Sequence, residues 1–383
     1  MIGGAGEFIL TNARVVLDDR VVDGTVHVAG GIVRAVDAGS SRVPWAIDCA
    51  GDHLLPGLID IHTDNIEKHI EPRARVLWDG IAAAVAHDAV VTAAGITTVF
   101  DSVSVGEGIA IPGRPEMLAP MVEGVRGAAA LGLLRVDHRL HLRCEVIDPA
   151  VLGLFERWVD DPLVRLVSVM DHAPGHRQTP DVQKWREAYR THYRISMEVV
   201  DAHLETAITN SRTIGPVNRA RIAAACRARG LPLASHDDET EAHVAEAAEA
   251  GVVLSEFPTT LAAAAAAHRH GLAVAMGAPN VIRGGSHSGN VAAAVLAAAG
   301  HLDMLASDYI PASLLRAVFR LAADGLADLP GAVRLATANP ARLCGLDDRG
   351  RIAEGLRADL VRVVSAGGQP HVRAVWSGGR AVY

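Results

Sequence analysis

The 383-residue sequence predicts an α/β protein: a (β/α)8 TIM-like barrel carrying a small β-sandwich domain formed from both chain ends. Three observations lead there. The middle of the chain alternates short apolar strands with Ala-rich helical stretches, the pattern of a parallel sheet. Eight such strands can be counted, at 58–64, 96–102, 139–147, 164–171, 231–236, 252–257, 273–278 and 304–308, the number that closes a barrel. Both ends are instead rich in short β segments, so one β domain is expected from residues 1–54 and 344–383, flanking a barrel at 55–343.

Taken in order, residues 7–50 read as strands around 8–10, 13–17, 24–28 and 31–36, punctuated by Gly, Asp and Asn. At the C-terminus 358–364 and 372–376 have the same character, with turns at Ala366-Gly367-Gly368 and Ser377-Gly378-Gly379. The segment 173–230 is too long for an ordinary connection. Its Trp185, Tyr189, Tyr193, Met197 and Val200 suit either an inserted helical lid or a peripheral insertion with its own small core.

Composition removes several classes of function. Half of the residues are hydrophobic and only 4% are aromatic, so Ala, Val and Leu must fill the core. A net charge of −8 argues against a general nucleic-acid or membrane-surface binder. The four cysteines, Cys49, Cys144, Cys226 and Cys344, form no C-x-x-C pair, which fits a reducing cytosol and argues against a disulfide scaffold. No signal peptide is expected, and the Ala-rich runs near 261–267 and 292–299 are too short to span a bilayer. A cytoplasmic location is the expectation.

The chemistry is carried by polar residues where strands end. His62-Thr63-Asp64 follows an apolar run, and residues i and i+2 of a strand share a face. Glu145, His172, His236 and Asp308 stand at the ends of later strands. Any one of them fits a capped turn. All of them on one barrel face point to metal binding. Asp64, Glu145 and Asp308 would repel one another without cations. Two divalent ions sharing a hydroxide would balance them, with Glu145 as a bridge. Zinc is the first expectation, and manganese or iron suits the same mixed donors.

A phosphate-binding segment is expected after the seventh strand. Arg283, Gly284, Gly285, Ser286, His287 and Ser288 precede a predicted helix at 291–299, and glycine amides at a helix N-terminus suit an anion. The alternative is a glycine turn with an ordinary N-cap. Lys68, following the first metal pair, and Arg177, five residues past His172, are further candidate substrate cations or plain surface charges.

These motifs together resemble the amidohydrolase superfamily. The supporting segments are Pro56-Gly57-Leu58-Ile59-Asp60-Ile61-His62, Thr337-Ala338-Asn339-Pro340-Ala341-Arg342 and Gly355-Leu356-Arg357-Ala358-Asp359-Leu360-Val361. More narrowly the chain resembles the PhnM family of the carbon–phosphorus lyase pathway. The residues that carry this are His62-Thr63-Asp64-Asn65-Ile66-Glu67-Lys68-His69, Val169-Met170-Asp171-His172, Ser235-His236-Asp237-Asp238, Glu256-Phe257-Pro258-Thr259-Thr260 and Ala306-Ser307-Asp308-Tyr309. The resemblance implies a diphosphatase that releases pyrophosphate from α-D-ribose 1-methylphosphonate 5-triphosphate. In that reading a hydroxide attacks the α-phosphorus and Asp308 accepts its proton. A phosphorylated ribose is then the small-molecule partner, and a homo-oligomer is expected.

Two departures from the wider superfamily stand out. Asp64 replaces the second His of the usual His-x-His, and Glu145 takes the place of a carboxylated lysine. The strand count also puts His172 and His236 on strands four and five, where the superfamily usually uses five and six. The rival readings are a cyclic-amide hydrolase or deaminase of the dihydroorotase kind, and a non-catalytic scaffold on the same fold.

Overall fold

A computed structural model describes residues 6–73, 76–107, 114–175, 177–286 and 289–383. Eight parallel strands form the barrel, in chain order Leu58–Thr63, Ile96–Val105, Asp137–Glu145, Val164–Met170, Leu233–His236, Leu254–Glu256, Ala273–Gly277 and Met304–Ala306. They coincide with the predicted eight. The ring closes where the Asp64 amide donates to the Asp308 carbonyl and the Asp308 amide to the His62 carbonyl, both at 2.9 Å. Closure therefore falls among the candidate ligands themselves.

Two apolar layers hold this ring. Ile59, Ile61, Phe100, Leu166, Leu254 and Met304 fill the barrel interior. A larger layer packs the outward strand residues against the surrounding helices, for example Val99, Val103 and Leu142 against Val122 and Phe155. Small side chains such as Ala263, Ala264, Ala266 and Ala267 let helices approach the sheet closely.

The first strand is irregular in a way that matters for the site. Between Asp60 and Thr63 it advances three residues while its neighbour advances two, from Val99 to Asp101. Strict alternation from the inward Ile59 and Ile61 would send His62 outward. The bulge re-aims it into the mouth of the barrel.

Both chain ends combine into one β domain. Its strands are hydrogen-bonded in a single continuous sheet, mostly antiparallel. Phe8–Val16, expected as two segments, is one strand with a register shift between Leu10 and Ala13, where Asn12 takes a positive φ of 53°. The sheet has its own apolar cluster, including Leu10, Val26, Leu54, Leu360 and Trp376. His53–Pro56 belongs to this sheet, pairing with Leu360–Ala366, and Gly57 carries the chain into the barrel. A Cβ at Gly57 would lie 2.1 Å from the Thr97 hydroxyl oxygen, so only glycine fits this crossing.

The long connection contains helices Val182–Tyr193, Met197–Thr213 and Gly215–Arg229. Trp185 stacks on Tyr189 with ring centroids 4.6 Å apart, Tyr193 lies 4.5 Å beyond, and Val200 is buried.

The segment after the seventh strand differs from expectation. The strand leads directly into a short helix, Ala278–Arg283, which Gly284 ends at a φ of 78°. The next helix is Ala293–Ala298, starting later than predicted. The amides of Gly284 and Gly285 close the first helix on Val281 and Asn280 carbonyls, and the Ala293 amide is capped by Asn280 Oδ1 at 2.9 Å. These donors are committed within the protein, so the backbone cradle expected of the two glycines is not free. His287 and Ser288 lie outside the described residues.

Candidate active site

Three barrel strands end on a residue with left-handed backbone, Asp237, Phe257 and Asp308, at φ of 55°, 55° and 56°. Each non-glycine residue held there costs on the order of 1 kcal/mol. Each amide donates to the neighbouring strand at 2.9 Å: Asp237 to the Glu256 carbonyl, Phe257 to that of Ala275, Asp308 to that of His62. The barrel hydrogen bonding thus holds these turns. Asp237 and Asp308 line the same cleft.

The strand ends bring the predicted ligands together. His62 Nε2 is 3.6 Å from Asp64 Oδ1, and His62, Asp64 and Asp308 form one group able to hold a cation. His172, His236 and Asp237 form a second. The two groups adjoin, because the His62 and His236 rings are 5.7 Å apart, as are those of His172 and His236. His172 follows the fourth strand and His236 ends the fifth, as the sequence count gave.

Glu145, the expected bridge, is hydrogen-bonded to His172. Its Oε2 accepts from His172 Nδ1 at 2.6 Å and its Oε1 from the His172 amide at 3.2 Å. The His236 ring gives Nδ1 to Asp237 Oδ2 at 2.7 Å, while its Nε2 is buried without a protein partner. An orphaned buried imidazole nitrogen beside carboxylates is the donor that a divalent ion requires. The residues present therefore fit divalent metal binding.

Sequence reasoning missed several members. Glu256, wholly buried at the end of the sixth strand, accepts from His62 Nδ1 at 3.1 Å. Arg143 donates to Asp64 Oδ1 at 2.6 Å. It lies two residues before Glu145 on the same strand, and that spacing was the available signal. Asp237 stands beside His236 in the Ser235-His236-Asp237-Asp238 segment and was not among the predicted ligands.

Electrostatics follow from burial and these contacts. Burial opposes charge on His62, but Glu256 overrides it and lifts the ring to about 10. On His172 burial is again outweighed, by Glu145 and Asp237, giving about 10. Glu256 is held down at about 2 despite burial, through His141 and His62. Burial, reinforced by Asp64, pushes the Asp308 carboxyl above its ordinary range. A metal ion competes with the ring protons, since only neutral imidazole ligates.

The cationic candidates separate. Arg283 and Ser286 line the cleft shared with Asp237 and Asp308, and the Arg283 guanidinium has no ion pair among the described residues. The exposed Lys68 donates to the Tyr309 carbonyl at 2.5 Å and so reaches the loop that carries Asp308. Arg177 is buried instead, donating to Asp238 Oδ1 at 2.8 Å and to the His236 carbonyl at 3.2 Å. It braces the His236 turn from behind.

Beside the site runs a second buried network. Asn65 Nδ2 donates to His87 Nδ1 at 2.9 Å, and His87 Nε2 donates to Asp101 Oδ1 at 2.7 Å. His138 bridges Asp101 Oδ2 at 2.8 Å and Asp88 Oδ1 at 3.4 Å, and Arg135 pairs with Asp88 at 2.7 Å. With His138 charged, Asp88 and Asp101 are balanced by His138 and Arg135. Its polar groups satisfy one another, which makes it a structural element.

A model of the amidohydrolase family matches residues 53–382. The chain belongs to the amidohydrolase family. This amidohydrolase is 47% identical, over 98% of its own length and 100% of the relative's, to the α-D-ribose 1-methylphosphonate 5-triphosphate diphosphatase of Escherichia coli K12. Among solved structures it resembles 5-methylcytosine deaminase from Klebsiella pneumoniae, with a TM-score of 0.67, 15% identity and 98% of each chain covered. It also resembles N-acetyl-D-glucosamine-6-phosphate deacetylase from Mycobacterium smegmatis, with a TM-score of 0.63, 19% identity, and 98% of this chain and 100% of that one covered. At such identities the likeness concerns the fold. Among the described residues, no helix is long and apolar enough to cross a membrane.

Proposed function

We propose that this amidohydrolase hydrolyses α-D-ribose 1-methylphosphonate 5-triphosphate to the 5-phosphate and pyrophosphate, as a metal-dependent enzyme of phosphonate catabolism. The observation that carries this is the cleft joining Asp237 and Asp308 to Arg283, which has no ion pair among the described residues, and to Ser286. It offers a metal-binding end and a cationic end to one extended anion. The identity of 47% with the E. coli diphosphatase supports the same reading.

His62, Asp64, His172, His236 and Asp308 would hold two divalent ions, zinc in the first instance. When bound, such ions supply Lewis acidity toward phosphoryl oxygens and lower the pKa of water. The chain itself contributes the rest. Arg283 and Ser286 bind the outer phosphates and set the α-phosphorus toward the strand ends. Arg143 keeps a permanent positive charge beside Asp64 and limits repulsion among the carboxylates. Asp308, on the cleft at the strand ends, takes the proton of the attacking water on its carboxylate. Lys68 holds the loop that carries Asp308. We take the enzyme to act in the cytoplasm as a homo-oligomer, a state that light scattering of the purified protein tests directly.

The deciding experiment is phosphorus NMR of the metal-loaded enzyme with the ribose 5-triphosphate. Pyrophosphate and the 5-phosphate in equal amounts are expected. Stepwise release of orthophosphate, or turnover of dihydroorotate in place of the triphosphate, would overturn the reading.

A further inference from the structure

Among the described residues, three side-chain amides line the cleft at the strand ends, Gln178, Asn280 and Asn290, and they differ in what they have left to offer. Asn280 is spent: its Nδ2 donates to the Val291 carbonyl at 3.2 Å and its Oδ1 accepts from the Ala293 amide at 2.9 Å. Gln178 and Asn290 have no side-chain hydrogen bond among the described residues. Each sits beside an anchored residue. Gln178 follows Arg177, whose backbone is left-handed at a φ of 54° and whose amide donates to Glu239 Oε2 at 2.8 Å. Asn290 precedes Val291. One run of hydrogen bonds joins the two anchors: Arg177 Nη1 to Asp238 Oδ1 at 2.8 Å, the Thr259 amide to the Asp238 carbonyl at 2.8 Å, and the Val291 amide to the Thr259 carbonyl at 2.9 Å. The connections after the fourth, fifth, sixth and seventh strands are thereby tied into one wall, which carries both amides on the cleft.

We infer that Gln178 and Asn290 bind substrate, forming with Arg283 the pocket for the two outer phosphates and for the pyrophosphate that leaves. The inference rests on the reading that a triphosphate occupies this cleft. Asn290 belongs to the same connection as Arg283 and Ser286, which puts it at the cationic end. Positive charge is scarce there. Lys68 is engaged by the Tyr309 carbonyl, Arg177 is sunk against Asp238, and among the described residues Arg283 is the one Lys or Arg that lines the cleft. A single guanidinium leaves most oxygens of two phosphates unmet, and neutral donors must supply the rest. Each side-chain amide brings a pair of N–H groups, and a bond from such a donor to a charged oxygen is of the stronger kind. Neither amide has an internal hydrogen bond to give up, so binding exchanges only water. Neutral donors also lack the long-range attraction of a second cation, which leaves the pyrophosphate free to depart.

The test separates the outer phosphates from the rest of the substrate. Metal-loaded wild type, Q178A, N290A, Q178E and N290D are compared for KM with the ribose 5-triphosphate and for inhibition by the 5-phosphate product, which lacks both outer phosphates. Q178A and N290A should each raise KM by about 10-fold or more, with metal content and the inhibition constant of the 5-phosphate unchanged. Q178E and N290D keep the shape of the side chain but set a carboxylate against the phosphates, and they should raise KM further. An unchanged KM at either position would overturn the assignment of that residue. A matching rise in KM and in the inhibition constant would put the amides at the ribose end and overturn the pocket as drawn. Should an alanine variant fail to fold, the near-isosteric acid at the same position decides. Wild-type enzyme that leaves the triphosphate intact would instead overturn the functional reading.

Discussion

Arg143 places Nη1 2.6 Å from Asp64 Oδ1, with the guanidinium nearly buried and the carboxylate partly exposed. The pair puts a fixed cation inside a site crowded with carboxylates. Removing it leaves Asp64, Asp308 and Glu256 with less compensation. Arg143→Gln should therefore destabilise chelator-stripped protein by about 3–5 kcal/mol, the cost of breaking a buried pair. Saturating zinc should recover much of that, because a cation replaces the lost charge. Denaturant melts with and without zinc check this, and an equal loss in both would mean that Arg143 serves packing alone.

Asp308→Asn tests the proton acceptor. Asparagine still offers a carbonyl oxygen to a cation but takes no proton. The variant should keep most of its metal while kcat falls by about 10²-fold or more. Some of the fall will come from altered site charge. Full metal with near wild-type kcat would move the role to Asp237, the other acid on the same cleft.

Arg283→Ala tests the anionic end of the cleft. Among the described residues the side chain has no ion pair to lose, so stability should stay within about 0.5 kcal/mol of wild type. KM for the triphosphate should rise by about 10-fold or more, with metal affinity unchanged. An unaltered KM would mean that the guanidinium points away from the substrate.

The His138 network gives a pH signature. Burial opposes charge on this ring, but Asp101 and Asp88 raise it from 6.5 to about 9. A raised pKa means that the folded state holds the proton more tightly than the unfolded chain. The stabilisation is complete below about pH 6.5 and is lost as pH rises through about 9. Asp101 is held at about 2, so its own contribution is present above 3.8 and lost as pH falls toward 2. Metal-loaded Asp101→Asn should be less stable at pH 6 by about 3 kcal/mol and should show a flatter decline from pH 6.5 to 9. Melting curves across that range decide, and parallel curves for variant and wild type would leave His138 uncharged.

Much of this molecule is written locally. Alternating apolar runs mark the eight barrel strands, because each must bury its side chains from water wherever it pairs. The strand-end positions of His62, Asp64, Glu145, His172, His236 and Asp308 are legible for the same reason. Other features have no local cause. The bulge at 60–63 depends on register with the second strand, and without it His62 would face the helices. Glu256 meets His62 across 194 residues of sequence, and only barrel closure brings them together. Gly284 and Gly285 read as an anion cradle, but their amides are taken by the end of a helix that the sequence pattern did not reveal. Arg177 looked like a substrate cation until the fold buried it against Asp238. The sequence by itself determined which residue types stand at the strand ends. The tertiary structure decided which nitrogen, oxygen and amide each of them turns to the site, because every buried polar group takes the nearest partner that folding supplies.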